Sequence, residues 1–162
     1  MGGGSSYTPT SKSTQEAEQI FKGSVREVEL ATSKTRIRNV FISFSITDEA
    51  QVNLLREQAR GEIADLEFKD YSVKEPFDEA WKSQCRDRIF QTSATIVMIG
   101  PDTASRSAVD WEVEESYRQG KKVIGVRIYR DENHPIPRVL REHGAKIINW
   151  DIAEIRKFLD ED

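Results

Sequence analysis

The sequence predicts an α/β fold of the flavodoxin-like type, in which helices cover both faces of a five-stranded parallel sheet of order 2-1-3-4-5. From residue 38 onward, short segments dense in apolar and β-branched residues alternate with segments of helical periodicity. The run VIGVRI at 123–128 is almost uninterrupted in such residues, which is typical of a strand buried on both faces. Right-handed crossovers then place the connecting helices on the two faces of the sheet.

The elements are predicted in order along the chain. Strands are expected at 38–44, 66–72, 94–100, 123–128 and 145–150. Helices are expected at 48–60, 81–91, 107–119 and 151–162. A Gly-Pro dipeptide stops the third strand, and two prolines place a loop at 131–138.

Length, net charge and composition argue against several classes of protein. The 162 residues predict one folded domain, 36–162, after a flexible N-terminal tail, 1–35, that has room for a short helix. A net charge of −4 argues against a nucleic-acid-binding surface, and no apolar run approaches the roughly 20 residues of a membrane span. The single cysteine, Cys85, fits a reducing cytoplasm, and the two histidines lack metal-ligand spacing, so we expect no metal site.

The helix predicted at 107–119 is the segment on which the functional analysis depends. Gly120 and two lysines follow it, as is usual at a helix end. Ser107, with Asp110 three residues later, has the spacing of a capping box. One side of this helix carries a mainly apolar stripe: Val109, Val113, Ser116 and Tyr117.

Spacing distinguishes the glutamates of this helix. Glu114 and Glu115 have Arg118 four and three residues on, which favours exposed ion pairs. Glu112 has no cation within a turn, and it lies at the edge of the stripe near the helix start, where the dipole favours the ionised form. Glu112 is therefore the candidate for a working acid. The alternative is a glutamate that only stabilises its helix, by about 0.3–1 kcal/mol.

In sheets of this type, ligands bind beyond the carboxyl ends of the strands, at the switch between strands 1 and 3. The loops at that edge are 44–48, 70–80, 100–110 and 129–137, and Glu112 directly follows the third of them. The sequence has no glycine-rich dinucleotide motif, no P-loop and no G-x-S-x-G elbow, and strand 3 does not end in the Asp of a phospho-acceptor receiver. A carboxylate-based site remains.

Several residues near this edge have two interpretations. Phe44 is either the last core residue of its strand or a face for a flat base, and Trp81 either packs beside Cys85 or stacks on a ligand. Asp48 is interpreted as a cap or turn residue. Trp111 falls nearly opposite the buried stripe, so we expect it to be exposed and to invite a partner surface.

Four segments in this order resemble the TIR domain superfamily, and specifically the TIR-like proteins of bacterial Thoeris-type antiphage defence. The segments are VFISFSITDE (40–49), YSVKEPFDEAWKSQCRDRI (71–89), ATIVMIG (94–100) and VDWEVEESYRQGKKVIGV (109–126). The resemblance covers about 38–160. It implies an enzyme that cleaves the nicotinamide–ribose bond of NAD⁺ and forms ADP-ribose or a cyclic isomer, an immune signal sensed by a separate effector protein.

The resemblance also assigns residues. Glu112, eight residues before Gly120-Lys121, takes the position of the catalytic glutamate. No cofactor is expected, since NAD⁺ is the substrate. The active form is expected to be a homo-oligomer, with 71–80 and Trp111 as candidate contacts. The candidate substrate-binding residues are Phe44, Ser45, Asp48, Trp81, Ser105 and Asp110.

One position departs from the family pattern. Many TIR enzymes carry a Trp four residues before the catalytic glutamate, where this chain has Ala108. Trp111 and Glu115 have that spacing instead, which makes Glu115 the second candidate acid, although Arg118 can neutralise it. Two other functions stay open. One is a non-catalytic TIR scaffold that acts by self-association, and the other is an N-glycosidic enzyme resembling nucleoside deoxyribosyltransferases.

Overall fold

The computed structural model describes residues 38–62, 66–70 and 78–161. The predicted N-terminal tail at 1–35 lies outside the described residues, as does most of the 71–80 loop that was expected to contact a partner. Among the residues that are described, no helix combines the length and the apolar character needed to cross a membrane.

The strands form a parallel sheet. They are β1 (Arg38–Ser43), β2 (Leu66–Asp70), β3 (Ala94–Ile99), β4 (Lys122–Arg127) and β5 (Lys146–Asn149). β1, β3, β4 and β5 are neighbours in that order, with Ser43 beside Val97 and Ile99 beside Arg127. β2 pairs with β1 in parallel. The predicted α/β fold with a parallel sheet is confirmed.

Among the described residues, four α-helices connect the strands and a fifth follows β5. They are α1 (Glu49–Glu62), α2 (Glu79–Phe90), α3 (Ser107–Arg118), α4 (Arg138–Glu142) and α5 (Ile152–Asp160). The prediction missed α4, because five residues are too few to show helical periodicity. The start expected for α1 agrees with the observed start at Glu49 to within one residue, and a separate 3₁₀ turn, Ile46–Asp48, precedes it.

The two faces of the sheet bury different helices. Val40, Ile42 and Ile96 lie in one core cluster with side chains of α1 and α5. Val97 and Ile99 face the opposite side, where they pack against α3 and α4. Phe41 also faces that side, against α2. The sheet is therefore covered on both faces, and α3 packs on β3 and β4 and also reaches β1.

The C-terminal end of α3 agrees with the prediction, and its N-terminal end does not. Gly120 has φ 71°, and the amide of Lys121 donates to the carbonyl of Ser116 at 2.9 Å, so the predicted glycine-ended helix is confirmed. The predicted capping box is wrong. Ser107 is itself the first helical residue, and the residue that precedes the helix, Arg106, makes no side-chain cap.

Candidate active site

Glu112 lies on the side of α3 that faces the sheet. Its side chain is buried, with 3% of the residue exposed, and Oε2 accepts a hydrogen bond from the hydroxyl of Ser43, the last residue of β1. No lysine, arginine or histidine of the described chain forms an ion pair with it. The prediction of an acid without a cationic partner is confirmed.

Burial controls the protonation of Glu112. Desolvation raises the pKa of this carboxyl from 4.5 to about 8, while the hydrogen bond from Ser43 acts in the opposite direction. The sequence indicates that the helix dipole favours the ionised form of Glu112, but burial, which the spacing of charges does not reveal, raises its pKa. A carboxyl with such a pKa is mostly protonated at neutral pH.

A second polar pair lies one helical turn deeper. The hydroxyls of Thr95, on β3, and Ser116, on α3, are 2.8 Å apart, and Ser116 also donates to the carbonyl of Glu112 at 2.8 Å. Val109 and Val113, on the same helix, belong to the apolar cluster that packs α3 on the sheet. The interface between α3 and the sheet thus contains two satisfied polar pairs within an otherwise apolar layer.

The turn after β1 holds three of the predicted site residues. Ser45 is buried, and its hydroxyl lies 2.9 Å from that of Thr47. Phe44 is partly buried against the core shared with α1 and α5. Asp48 is buried too, and its Oδ2 has no hydrogen-bond partner among the described residues. Of the two interpretations of Asp48, cap or turn residue, the structure supports the turn, since Asp48 lies in the 3₁₀ turn before α1 and is 2% exposed.

Asp48 approaches the loop that follows β3. A Cβ built on Gly100 would overlap the carboxylate of Asp48, so glycine is required for this approach. Burial, with the nearby charge of Asp102, raises the pKa of Asp48. Thr103, which the sequence analysis did not single out, ties the loop down, because its hydroxyl accepts from the amide of Gly100 at 2.8 Å and donates to the carbonyl of Met98 at 3.1 Å.

The aromatic residues beside α3 form one cluster. Trp81 is buried with Phe41 and Cys85, which corresponds to the core interpretation of this tryptophan. Trp111 packs edge-on against Trp81, with ring centroids 5.3 Å apart and planes at 62°. The guanidinium carbon of Arg86 lies 5.5 Å from the centre of the Trp111 ring. The prediction of an exposed Trp111 is wrong, because α2 covers this side of α3.

Two predicted substrate-binding residues are not brought beside Glu112. Ser105 is exposed, and its hydroxyl donates to the carbonyl of Asp102 at 2.8 Å, within its own turn. Asp110 precedes Glu112 by two positions and so points about 200° away around the helix. The charge of Arg138, on α4, acts on Asp110, whereas Glu112 faces β1.

The other glutamates of α3 have cationic partners. Glu115 forms the predicted ion pair, with Oε2 at 2.6 Å from Arg118 Nη1, and its other oxygen accepts from Gln119 at 2.9 Å. Its expected exposure is wrong, since only 4% of the residue is exposed. Glu114 does not pair with Arg118 as predicted; it lies 3.3 Å from Arg138 of α4. Among these three acids, Glu112 alone lacks a cation in the part of the chain that the structure describes.

Comparison with known families gives one match to a family model. The model of the Thoeris protein ThsB TIR-like domain matches residues 41–133, more than half of the chain. The matched segment includes the last three residues of β1 (41–43), the turn after it, and the whole of α3 with Glu112. No curated protein matches the chain at a significant level.

Several solved structures are similar to the chain. The TIR domain of the Toll-related receptor TRR-2 from Hydra magnipapillata is 18% identical, with a TM-score of 0.48 over 73% of this chain and 88% of that one. The CMP N-glycosidase BcmB of Clostridium botulinum is 17% identical, with a TM-score of 0.47 over 76% and 98%. The TIR domains of the activated Roq1 resistosome are 20% identical, with a TM-score of 0.43 over 75% and 70%.

Proposed function

This chain belongs to the family of TIR-like domains of the Thoeris protein ThsB, and on that premise we propose that it is an NAD⁺-consuming enzyme. It cleaves the nicotinamide–ribose bond and forms a cyclic ADP-ribose isomer, which activates a separate effector protein. The observation that supports this best is Glu112: a buried carboxyl without a cation among the described residues, beside the end of β1 where sheets of this type bind ligands.

The chemistry suits a single carboxylate. The C1′–N bond breaks with its electron pair moving to the ring nitrogen, so nicotinamide leaves as a neutral molecule and needs no acid. The ribosyl fragment develops oxocarbenium charge, which the Glu112 carboxylate stabilises electrostatically. Water, or a nucleophilic atom of the same molecule, then attacks C1′ and passes its proton to Glu112. The first route is hydrolysis, and the second is cyclisation.

The raised pKa of Glu112 fits this role. In the free protein the proton removes the cost of a buried charge. A bound substrate brings a cationic pyridinium ring and a developing positive charge, and both favour the ionised carboxylate. Glu112 therefore becomes ionised when substrate is bound, and its negative charge then lowers the barrier to cleavage of the C1′–N bond.

The surrounding residues are assigned in the same proposal. Phe44, Ser45 and Asp48, on the turn after β1, contribute to the nucleotide site. Trp81 flanks the nicotinamide pocket, where its packing on Trp111 holds the pair rigid. Ala108, at the position of the family's Trp, packs against the same aromatic cluster. We therefore infer that the Trp81–Trp111 pair supplies the aromatic wall that Ala108 does not.

Two wider features belong to the proposal. The sheet has the five-strand order 2-1-3-4-5, supported by the parallel pairing of β2 with β1. The active form is a homo-oligomer in which neighbouring chains complete the site, as the family resemblance implies.

Incubation of the pure protein with NAD⁺, with nicotinamide followed by chromatography, tests the proposal. We expect nicotinamide release by the native chain and a loss of about 10²-fold or more in Glu112→Gln, since a stabilising charge worth several kcal/mol is removed. Glu115→Gln is the matched control, because that acid is also buried but paired with Arg118.

Other outcomes select other functions. If the assembled native protein releases no nicotinamide, the enzymatic proposal is wrong and the non-catalytic scaffold that acts by self-association is the remaining function. Base exchange between nucleosides identifies the deoxyribosyltransferase-like enzyme. Equal activity of Glu112→Gln and the native chain rejects the assignment of the acid. Mass and NMR analysis of the product separates the linear from the cyclic isomer.

A further inference from the structure

A cavity separate from Glu112 lies at the carboxyl edge of the sheet. It has a volume of about 370 Å³ and is lined by the turn after β3, the end of β4, the following loop and α4. Its apolar wall is formed by Ala104, Pro135 and Ile136. A hollow of this size and position is typical of a small-molecule site in a parallel sheet.

Three arginines line the same cavity, and they differ in what they contact. Arg138 forms ion pairs with two carboxylates, because Nη1 lies 2.7 Å from Glu142 and Nη2 lies 3.3 Å from Glu114. Arg127 contacts neutral groups, donating to Oδ1 of Asn133 at 3.2 Å and to a loop carbonyl at 3.5 Å.

Arg141 completes the set. It lies on α4, and its side chain makes neither a hydrogen bond nor an ion pair within the described ranges. Glu132, in the loop after β4, contacts a different lining residue, with its carboxylate 2.5 Å from Nε2 of His134. No aspartate or glutamate is among the described lining residues. The cavity therefore presents two guanidinium groups that form no ion pair with a carboxylate of the described segments.

We propose that this cavity binds a phosphorylated small molecule of nucleotide size, with its phosphate held by Arg127 and Arg141. Guanidinium groups bind phosphate oxygens through paired, charge-assisted hydrogen bonds, so two arginines that line one cavity and are not paired with a described acid suit a phosphate. The apolar wall of Ala104, Pro135 and Ile136 takes the remainder of the molecule. This inference is independent of the proposed NAD⁺ cleavage, because it involves neither Glu112 nor Ser43.

Titration of the full chain with ADP tests the inference, with adenosine as the ligand that lacks phosphate. Calorimetry should show ADP binding, and Arg141→Gln and Arg127→Gln should each weaken it about tenfold through loss of a charge-assisted contact. Arg141 is exposed, so its variant keeps the fold. The matched control is Arg130→Gln, which removes the same charge from an exposed residue outside the lining.

Amide NMR of the same titration locates the site. Signals of Ala104, Arg127 and Ile136 should shift with ADP, and they should do so equally in Glu112→Gln. Equal binding of adenosine, equal loss in Arg130→Gln, or shifts confined to Ser43, Ser45 and Glu112 would each overturn the inference. Because binding is measured without turnover, its failure leaves NAD⁺ cleavage untouched, and a failure of cleavage leaves this site standing.

Discussion

The hydroxyl of Ser43 donates a hydrogen bond to Oε2 of Glu112, and it is the one side-chain hydrogen-bond partner of that carboxyl in the described part of the chain. The two residues are 69 positions apart, and both are buried. Ser43 ends β1, so the contact joins the acid of α3 to the edge of the sheet where ligands bind. The protonation of Glu112 is therefore set by burial and by a single hydroxyl.

We predict that activity rises with pH. The pKa of Glu112 is about 8, and catalysis requires the ionised carboxylate, so kcat/KM should increase through about pH 8 and then level off. Steady-state rates across the pH range, in buffers of equal ionic strength, measure this. A profile that is flat from about pH 6 to about pH 9 would contradict the assignment of Glu112 as the titrating group.

Ser43→Ala should move that profile to higher pH. The hydrogen bond from Ser43 favours the ionised form and lowers the pKa of Glu112, so its removal raises the pKa further. A hydrogen bond to a charged group contributes roughly 1.5–3 kcal/mol, which corresponds to a shift of about one to two pH units. Ser43→Thr keeps the hydroxyl and should restore the native profile. A purely structural role for Ser43 would lower the rate without moving the midpoint.

Glu112→Gln should change how stability depends on pH. Because the folded pKa of about 8 lies above the ordinary glutamate pKa of 4.5, the native protein holds a proton that the unfolded chain releases between these values. The native protein therefore loses stability as pH rises through that window. The variant lacks this loss and should be roughly 3–5 kcal/mol more stable than the native chain above pH 8, with no such gain at acid pH. Urea unfolding at several pH values measures the difference. If the free energies of unfolding of the two proteins change with pH in parallel, the prediction is wrong.

Gly100→Ala should destabilise the fold through Asp48. The added Cβ overlaps the buried carboxylate, so we expect a cost of about 1–3 kcal/mol in the free energy of unfolding. Asp48→Ala removes the group that is overlapped. The double variant should therefore recover much of the loss caused by Gly100→Ala, which a double-mutant cycle in urea detects. Additive effects of the two substitutions would show that the two positions do not conflict.

The features predictable from the sequence are those with a local signal. β-branched runs identify the sheet, and the absence of a cation within one turn of Glu112 distinguishes it from Glu115. The charge state of Glu112 was not predictable, because burial depends on β1, far away along the chain. Trp111 was placed wrongly for the same reason. The periodicity of α3 reveals one buried side, while the contact with Trp81 comes from a second helix.

Short elements also escape sequence reasoning. Thr103 lies in a three-residue 3₁₀ turn, where no periodicity develops, although its hydroxyl holds the loop after β3. The helix α4, at Arg138–Glu142, has the same difficulty. That helix carries the partner of Glu114 and one side of the cavity, and the residues concerned look like ordinary surface charge in the sequence.

The two polar pairs between α3 and the sheet also fix the position of the helix along the strands. Glu112 and Ser116 are four positions apart and meet Ser43 and Thr95 on adjacent strands. Sliding the helix by one turn, about 6 Å, would bring Ala108 or Ser116 opposite Ser43 and leave a polar group facing hydrocarbon. The seating of the helix along the strands is thus specified by the same side chain that we assign to the reaction.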